Sequence, residues 1–230
     1  MEKKRHIQPL RIEATADGSH TLFVPELDEH YHSVNGAIQE SMHVFIRNGL
    51  LQLPEKKEIR ILEIGFGTGL NALLTLLHAE EKEKTIHYTS LELYPLDSEI
   101  ITTLNYPSQL GRSEAATFFN ALHAAPWEDE TAITPHFTLL KRNADFTVCA
   151  FSDKYDLIYF DAFAPEKQPD MWEQPLFDRI AASTNEGGIL TTYCAKGEVR
   201  RRLQNSGFKV NRLPGPPGKR QMIQAVKGVN

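Results

Sequence analysis

Residues 61–71 read Ile-Leu-Glu63-Ile-Gly65-Phe66-Gly67-Thr68-Gly69-Leu-Asn71. An apolar run ends there in a glycine-rich turn that opens a helix. Glycine tolerates positive φ and lets a ligand approach the backbone, while the start of the helix offers free N–H groups. Such a loop is weak evidence by itself, because dinucleotide enzymes have one too. Here the glycines are spaced G-x-G-x-G, and Leu70 stands where a dinucleotide fingerprint wants its third glycine. Glu63 comes just before the loop. An acid there suits a cationic, phosphate-free ligand such as S-adenosylmethionine, whose amino group a carboxylate can hold.

Two further acids follow at the ends of apolar runs. Glu92 closes Tyr88-Thr-Ser-Leu-Glu92, roughly twenty residues beyond the loop, where a carboxylate can accept hydrogen bonds from both hydroxyls of a ribose. Asp145, after Ala144, stands where an acid can reach an adenine amino group. Each also has a plain reading as a helix cap or exposed loop acid. Three acids at successive strand ends, where open α/β sheets bind ligands, favour the cofactor reading.

The fourth run, Tyr155-Asp-Leu-Ile-Tyr-Phe160, leads into Asp161-Ala-Phe163-Ala-Pro165-Glu-Lys167-Gln-Pro169-Asp-Met-Trp172. An acid here would lie beside a transferable methyl group. An amine accepts a methyl group only through a neutral lone pair. A lysine-like amine has a pKa of about 10.4, so about one molecule in 2,500 is neutral at pH 7, a penalty of about 4.6 kcal/mol. Asp161 can hold the amine N–H groups, aim the lone pair and assist proton loss; the alternative is a turn cap. Phe163 and Trp172 could stack on a target base, although Trp172 could equally pack the following helix. Tyr31 and Glu40, upstream, could close over the cofactor or serve interdomain packing.

These residues need elements to place them. Residues 6–14 and 20–25 alternate around Asp17-Gly18, a hairpin signal. Helical spacing covers 34–51. Beyond 55, strands are expected at 59–64, 85–92, 136–140, 155–160 and 189–194. Helices are expected at 70–80, 95–104, 114–124, 145–151, 174–184 and 197–205, with a turn at 185–188. Two final strands, 208–213 and 221–227, flank Pro214-Gly-Pro-Pro-Gly218 without a helix between them. Alternating strands and helices imply a mostly parallel sheet covered on both faces, with an antiparallel C-terminal edge hairpin. This is the plan of a class I, Rossmann-like methyltransferase over 55–230, preceded by a hairpin-plus-helix extension over 1–54.

Composition sets the limits. The 230 residues are 41% hydrophobic and 24% charged, ordinary globular values. Two cysteines fit neither a disulfide framework nor a zinc site. Nine histidines are scattered, and although His30 and His32 are close, no ligand pattern completes a metal site. No apolar run follows the basic first residues and none of about 18 residues occurs, so a cytoplasmic, soluble protein is expected. The net charge is −5, yet from Lys196 onward nine Lys and Arg face one acid, Glu198. That end is a polyanion-facing candidate or a solvated, salt-bridged surface.

The stretches Glu63–Asn71, Asp161–Trp172 and Gly218-Lys219-Arg220-Gln-Met222 resemble the methyltransferase domain of MnmC, as do Tyr31, Asn35-Gly36, Glu40 and Val44-Phe45. The resemblance covers nearly the whole chain, and Asp161–Trp172 is its most specific part. It implies S-adenosylmethionine as cofactor and tRNA as partner, with methylation of a 5-aminomethyl group on the wobble uridine. Asp161 then stands at the amine. Gly65, Phe66, Gly67, Thr68, Gly69, Asn71, Glu92, Ala144 and Asp145 stand at the cofactor, joined by Glu63, Tyr31 and Glu40. Lys219 and Arg220, with Lys167 and Arg201, become RNA contacts. MnmC continues into an FAD-dependent oxidase domain; no second glycine fingerprint occurs here, so the expectation is a stand-alone form. A methyl- or aminopropyltransferase acting on a small amine, and a non-catalytic module keeping the fold, are the competing readings.

Overall fold

The computed structural model describes residues 9–151 and 153–228. Strands β1 (Arg11–Ala14), β2 (His20–Val24) and β3 (Glu29–His30) form a small antiparallel sheet. Its first turn is tied by Asp17, whose Oδ1 accepts from Ser19 N (3.0 Å) and Thr15 Oγ1 (2.8 Å). The expected first strand began at residue 6, and residues 6–8 lie outside the described residues. The single helix expected over 34–51 is three pieces: α1 (Ala37–Ser41), a π-helical turn (Met42–Arg47) and a 3-10 turn (Leu50–Gln52). Asn48 ties the end of the widened turn, its backbone N and its Nδ2 both donating to His43 O five residues back.

The main unit then runs β4 (Glu58–Ile64), α2 (Leu70–Lys82), β5 (Thr85–Glu92), α3 (Ser98–Ile101), α4 (Tyr106–Leu110), α5 (Ala115–Ala124), β6 (Glu130–Thr134) and β7 (Phe137–Asn143). It continues with β8 (Tyr155–Phe160), α6 (Gln174–Ser183), β9 (Thr184–Thr192), α7 (Gly197–Asn205), β10 (Phe208–Pro214) and β11 (Gln221–Lys227). The eight-stranded sheet has the order β10-β11-β9-β8-β4-β5-β7-β6. Its five central strands are parallel, and β6, β10 and β11 run antiparallel to their neighbours. From β4 the chain moves outward to β5 and later returns to β8 on the other side. That reversal opens a crevice at the strand C-termini, where such sheets take ligands.

Alternation along β4 divides the core. Ile59 and Ile61 join α2, α5 and the N-terminal Val44, Phe45 and Leu50 in one apolar cluster, while Leu62 and Ile64 join Trp172, Phe177 and Leu203 in the other. The N-terminal segment therefore shares the core of the main sheet.

Several elements differ from the reading of the sequence. Of the helix expected over 95–104 only the four residues of α3 are helical, and α4 starts beyond it, after Asn105, which exchanges hydrogen bonds with His20 N and Gly18 O. Residues 145–151 form a turn, because Asp145 Oδ1 accepts from both Thr147 N (2.9 Å) and Thr147 Oγ1 (2.6 Å) and so competes with helix formation. The turn expected at 185–188 lies inside β9 as an irregularity, with Gly187 at φ 73° and Asn185 Nδ2 donating to Asp156 Oδ1. Strand β6 was not expected; it is a short edge strand with no buried side chain to mark it.

Candidate active site

The crevice holds a cleft of about 660 Å³, a size that suits a small cofactor. Its floor is tied together by backbone bonds: Gly65 N donates to Leu91 O (2.9 Å) and Asp161 N to Ile64 O (3.1 Å). The glycines are required by space as well as by φ. At Gly65 (φ 94°) a Cβ would lie 2.9 Å from Asp161 O, and at Gly67 (φ 49°) 3.0 Å from the Tyr31 ring. Both would fill the cradle that the cleft needs.

Glu92 is held in the wall by two backbone donors, Gly67 N to Oε2 (3.0 Å) and Tyr94 N to Oε1 (2.8 Å). Asp145 and Ala144 line the cleft beside the buried Phe146 ring, so Asp145 caps its own turn and faces the cleft as well. Asp161 opens the segment after β8, and Asn71 Nδ2 on α2 donates to its Oδ2 at 2.8 Å. The segment is pinned twice more, by Tyr193 Oη donating to Ala162 O (2.9 Å) and Trp172 Nε1 donating to Phe163 O (2.8 Å). Burial and the nearby Glu40 carboxylate push the Asp161 carboxyl up to about 7, against the opposing pull of Asn71 and Lys219. A carboxyl poised there can take a proton at neutral pH.

The opposite wall comes from the N-terminal segment. Tyr31 meets Phe163 edge-on at 5.2 Å between ring centroids. Glu40 is buried, accepts from Ser33 N (2.8 Å) through Oε2 and contacts Lys219 Nζ through Oε1. His32 is buried too, bonded to Thr68 Oγ1 (2.8 Å), and burial pushes its ring down to about 4, so it is neutral.

The structure brings together Gly65, Phe66, Gly67, Thr68, Asn71, Glu92, Ala144, Asp145, Asp161, Phe163, Tyr31, Glu40 and Lys219 around the cleft. Other expected site residues lie elsewhere. Glu63 is fully buried beneath the floor, because alternation along β4 turns it to the α2 side. Ser90 Oγ donates to it (2.6 Å), and burial pushes its carboxyl up to about 8. It stands outside the lining of the cleft. Gly69 caps α2 against His123, outside the cleft lining. Trp172 is fully buried against Phe160 and Phe177, so it packs the following helix and cannot stack on a base. Lys167 lies outside the lining, 3.5 Å from Asp28. Lys219, expected on the RNA, points into the cleft because its turn folds over Glu40. Arg201 and Arg220 are exposed, as are Lys209 and Arg212, while Lys196, Arg202 and Lys227 are held by Glu166, Trp172 O and Ser206 O. The sequence reading missed His32, Tyr193, Gln168 and Met171 in the lining. Tyr193 follows β9 directly, so the strand-end rule that found Asp161 could have found it; nothing local marks His32.

The donor set fits S-adenosylmethionine. Six carboxylates line the cleft (Glu26, Glu29, Glu40, Glu92, Asp145 and Asp161) and Lys219 is the one Lys or Arg among the described lining residues. That balance suits a sulfonium with an amino group and opposes a pyrophosphate.

Residues 120–228 match a family described as S-adenosyl-L-methionine-dependent methyltransferase. Over 86% of its length the chain is 32% identical to the tRNA 5-methylaminomethyl-2-thiouridine biosynthesis bifunctional protein MnmC of Leptospira interrogans, and over 96% it is 31% identical to that of Cupriavidus metallidurans. It spans 32% and 34% of the length of those two relatives. MNMC2 from Aquifex aeolicus superposes with a TM-score of 0.80 at 28% identity, covering 100% of this chain and 74% of that one. Spermidine synthase from Thermotoga maritima shares the fold alone, with a TM-score of 0.54 at 13% identity over 100% of this chain and 84% of that one. The chain is an S-adenosylmethionine-dependent methyltransferase domain, similar to MnmC along most of its length.

Proposed function

We propose that the chain methylates the primary amine of 5-aminomethyl-2-thiouridine, or its unthiolated form, at the wobble position of tRNA. The observation that carries this reading is Asp161, partly buried beside the glycine loop and held by Asn71 in a cleft lined by carboxylates. S-adenosylmethionine supplies an electrophilic methyl group. The chain's residues do the rest. The acidic lining attracts an ammonium ion, Asp161 accepts its N–H groups and takes up a proton, and the lone pair is left aimed into the cleft. Asn71 keeps the carboxylate from rotating away. Phe163, partly exposed at the rim, offers a ring for an unstacked uridine to lie against.

An acid-lined cleft repels phosphates, so the RNA backbone must be gripped elsewhere. Arg201, Lys209, Arg212 and Arg220 are the exposed cations for that contact. A tRNA acceptor supports a cytoplasmic setting for the reaction. The names of the MnmC relatives support the acceptor, as does the superposition on MNMC2.

The test is incubation with S-adenosylmethionine and tRNA carrying 5-aminomethyl-2-thiouridine, followed by nucleoside analysis. The expected product is 5-methylaminomethyl-2-thiouridine. Arg201→Glu/Arg220→Glu should weaken tRNA binding and flatten its salt slope by about 0.7–0.9 per lost phosphate contact. Methylation of a free small amine, with none on the tRNA and no salt dependence, would instead establish a small-molecule enzyme.

A further inference from the structure

Lys219, the one Lys or Arg among the described residues that line the cleft, is paired with a carboxylate to which the catalytic scheme gives no step of its own. Lys219 Nζ contacts Glu40 Oε1 and lies over the Tyr193 ring, 4.1 Å from its centroid. The Glu40 side chain is 7% exposed and that of Lys219 32%, so both charges are held largely out of water, yet both line the cleft. A buried ion pair is poor evidence of a stabilising device, because desolvation offsets most of its attraction. Both members are also rigidly presented. Glu40 Oε2 is fixed by Ser33 N. The turn that carries Lys219 is pressed onto the N-terminal segment, with His43 Nε2 bonded to Pro214 O (2.8 Å). Next to Lys219, a Cβ on Gly218 would meet Asn35 Nδ2 at 2.1 Å. Two opposite charges, adjacent and preformed, match the amino acid end of S-adenosylmethionine, which carries a carboxylate and an ammonium on one carbon.

We infer that Glu40 and Lys219 form a zwitterion clamp, Lys219 receiving the carboxylate of S-adenosylmethionine and Glu40 its amino group. Lys219 is then the residue by which the cleft distinguishes S-adenosylmethionine from its decarboxylated form. An ammonium has three N–H donors, so Lys219 can serve the ligand carboxylate while keeping Glu40. Glu40 and Lys219 line the same cleft as Asp161, and both charges act on its carboxyl. The carboxylate is the one group that a methyl donor has and an aminopropyl donor of the same skeleton lacks. A clamp that requires it commits a sheet also found in spermidine synthase to the methyl donor.

The inference rests on the cleft taking S-adenosylmethionine, and three probes separate the two claims in titration calorimetry: S-adenosylmethionine, decarboxylated S-adenosylmethionine and 5′-methylthioadenosine, which lacks the whole tail. Lys219→Met should weaken S-adenosylmethionine about 30-fold, or about 2 kcal/mol at 1.4 kcal/mol per tenfold, and leave the other two nearly unchanged. Glu40→Gln should weaken both tailed probes alike and spare 5′-methylthioadenosine. Lys219→Met leaves Glu40 without its partner and can unsettle the fold. The double variant Glu40→Gln/Lys219→Met removes both charges and must show the same lost preference for the carboxylated probe. A preference kept in both Lys219 variants overturns the clamp while leaving the cofactor assignment standing. If the unaltered chain binds none of the three, the cofactor assignment falls and the clamp with it.

Discussion

The two walls of the cleft hold their residues in different ways. In one, Gly65, Glu92, Asp145 and Asp161 sit at the ends of neighbouring parallel strands, and hydrogen bonds to the backbone of the adjacent strand ends and turns fix their places. In the other, Tyr31, Glu40 and Lys219 come from the two outer segments of the chain and are placed by contacts across the fold. A wall of strand ends inherits its geometry from the sheet. A wall of outer segments is only as well placed as the packing between them, and changes there should act through affinity more than through rate.

The largest effect should come from the first wall. Asp161→Ala should leave S-adenosylmethionine binding in calorimetry while slowing single-turnover methyl transfer by about 10²–10⁴. Asp161→Asn separates shape from charge. It should outperform Ala if orientation dominates, and fall as far as Ala if the negative charge is needed. Full activity of Asp161→Ala at pH 7 would make this wall a binding surface like the other.

A middling effect is expected where the walls touch. Gly67→Ala forces a side chain into left-handed backbone, at about 1–2 kcal/mol, and drives its Cβ against the Tyr31 ring. Cofactor affinity should drop by about tenfold. Tyr31→Ala alone removes the edge-on contact with Phe163, worth about 0.5–1.5 kcal/mol, and should weaken binding several-fold. The double variant is decisive. If the clash with Tyr31 matters most, Tyr31→Ala should recover part of the Gly67→Ala loss; simple additivity would lay the loss on the backbone.

The smallest effect lies beneath the floor. The Glu63 carboxyl is pushed from its ordinary value near 4.5 up to about 8. Between those values the folded chain holds a proton that the unfolded chain has released, so stability falls as pH rises, and the penalty is complete above about pH 8. Glu63→Gln, isosteric with the protonated acid, should melt clearly higher than the parent at pH 9 and within about a degree of it at pH 4. An equal shift at both pH values would mean that the carboxyl does not titrate in that window.

The strand-end wall was legible because its signals are local. An apolar run, a glycine turn and an acid in sequence place Gly65, Glu92 and Asp161 with no knowledge of distant residues. Glu63 was misread although β4 contains the correction: it shares the parity of Ile59 and Ile61 and must turn with them into the α2 face. The helix expected over 145–151 failed because Asp145 and Thr147 satisfy each other first. Trp172 was open to two readings, and the packing of Phe160 and Phe177 decides between them. The inward turn of Lys219 was beyond local reading, since charge clustering describes how basic a segment is and not which way one side chain points.

The contact between Glu40 and Lys219 joins residues 179 positions apart. During synthesis the glycine loop, β5 and even Asp161 emerge while the outer wall is still half missing, and loop closure over so long a separation comes late. A nascent chain can thus complete most of its sheet before it has a whole cofactor site. Stabilisation by bound S-adenosylmethionine, which acts only on a state able to bind it, arrives once the final hairpin has docked. The share of the affinity that the clamp supplies is therefore available only to the finished protein.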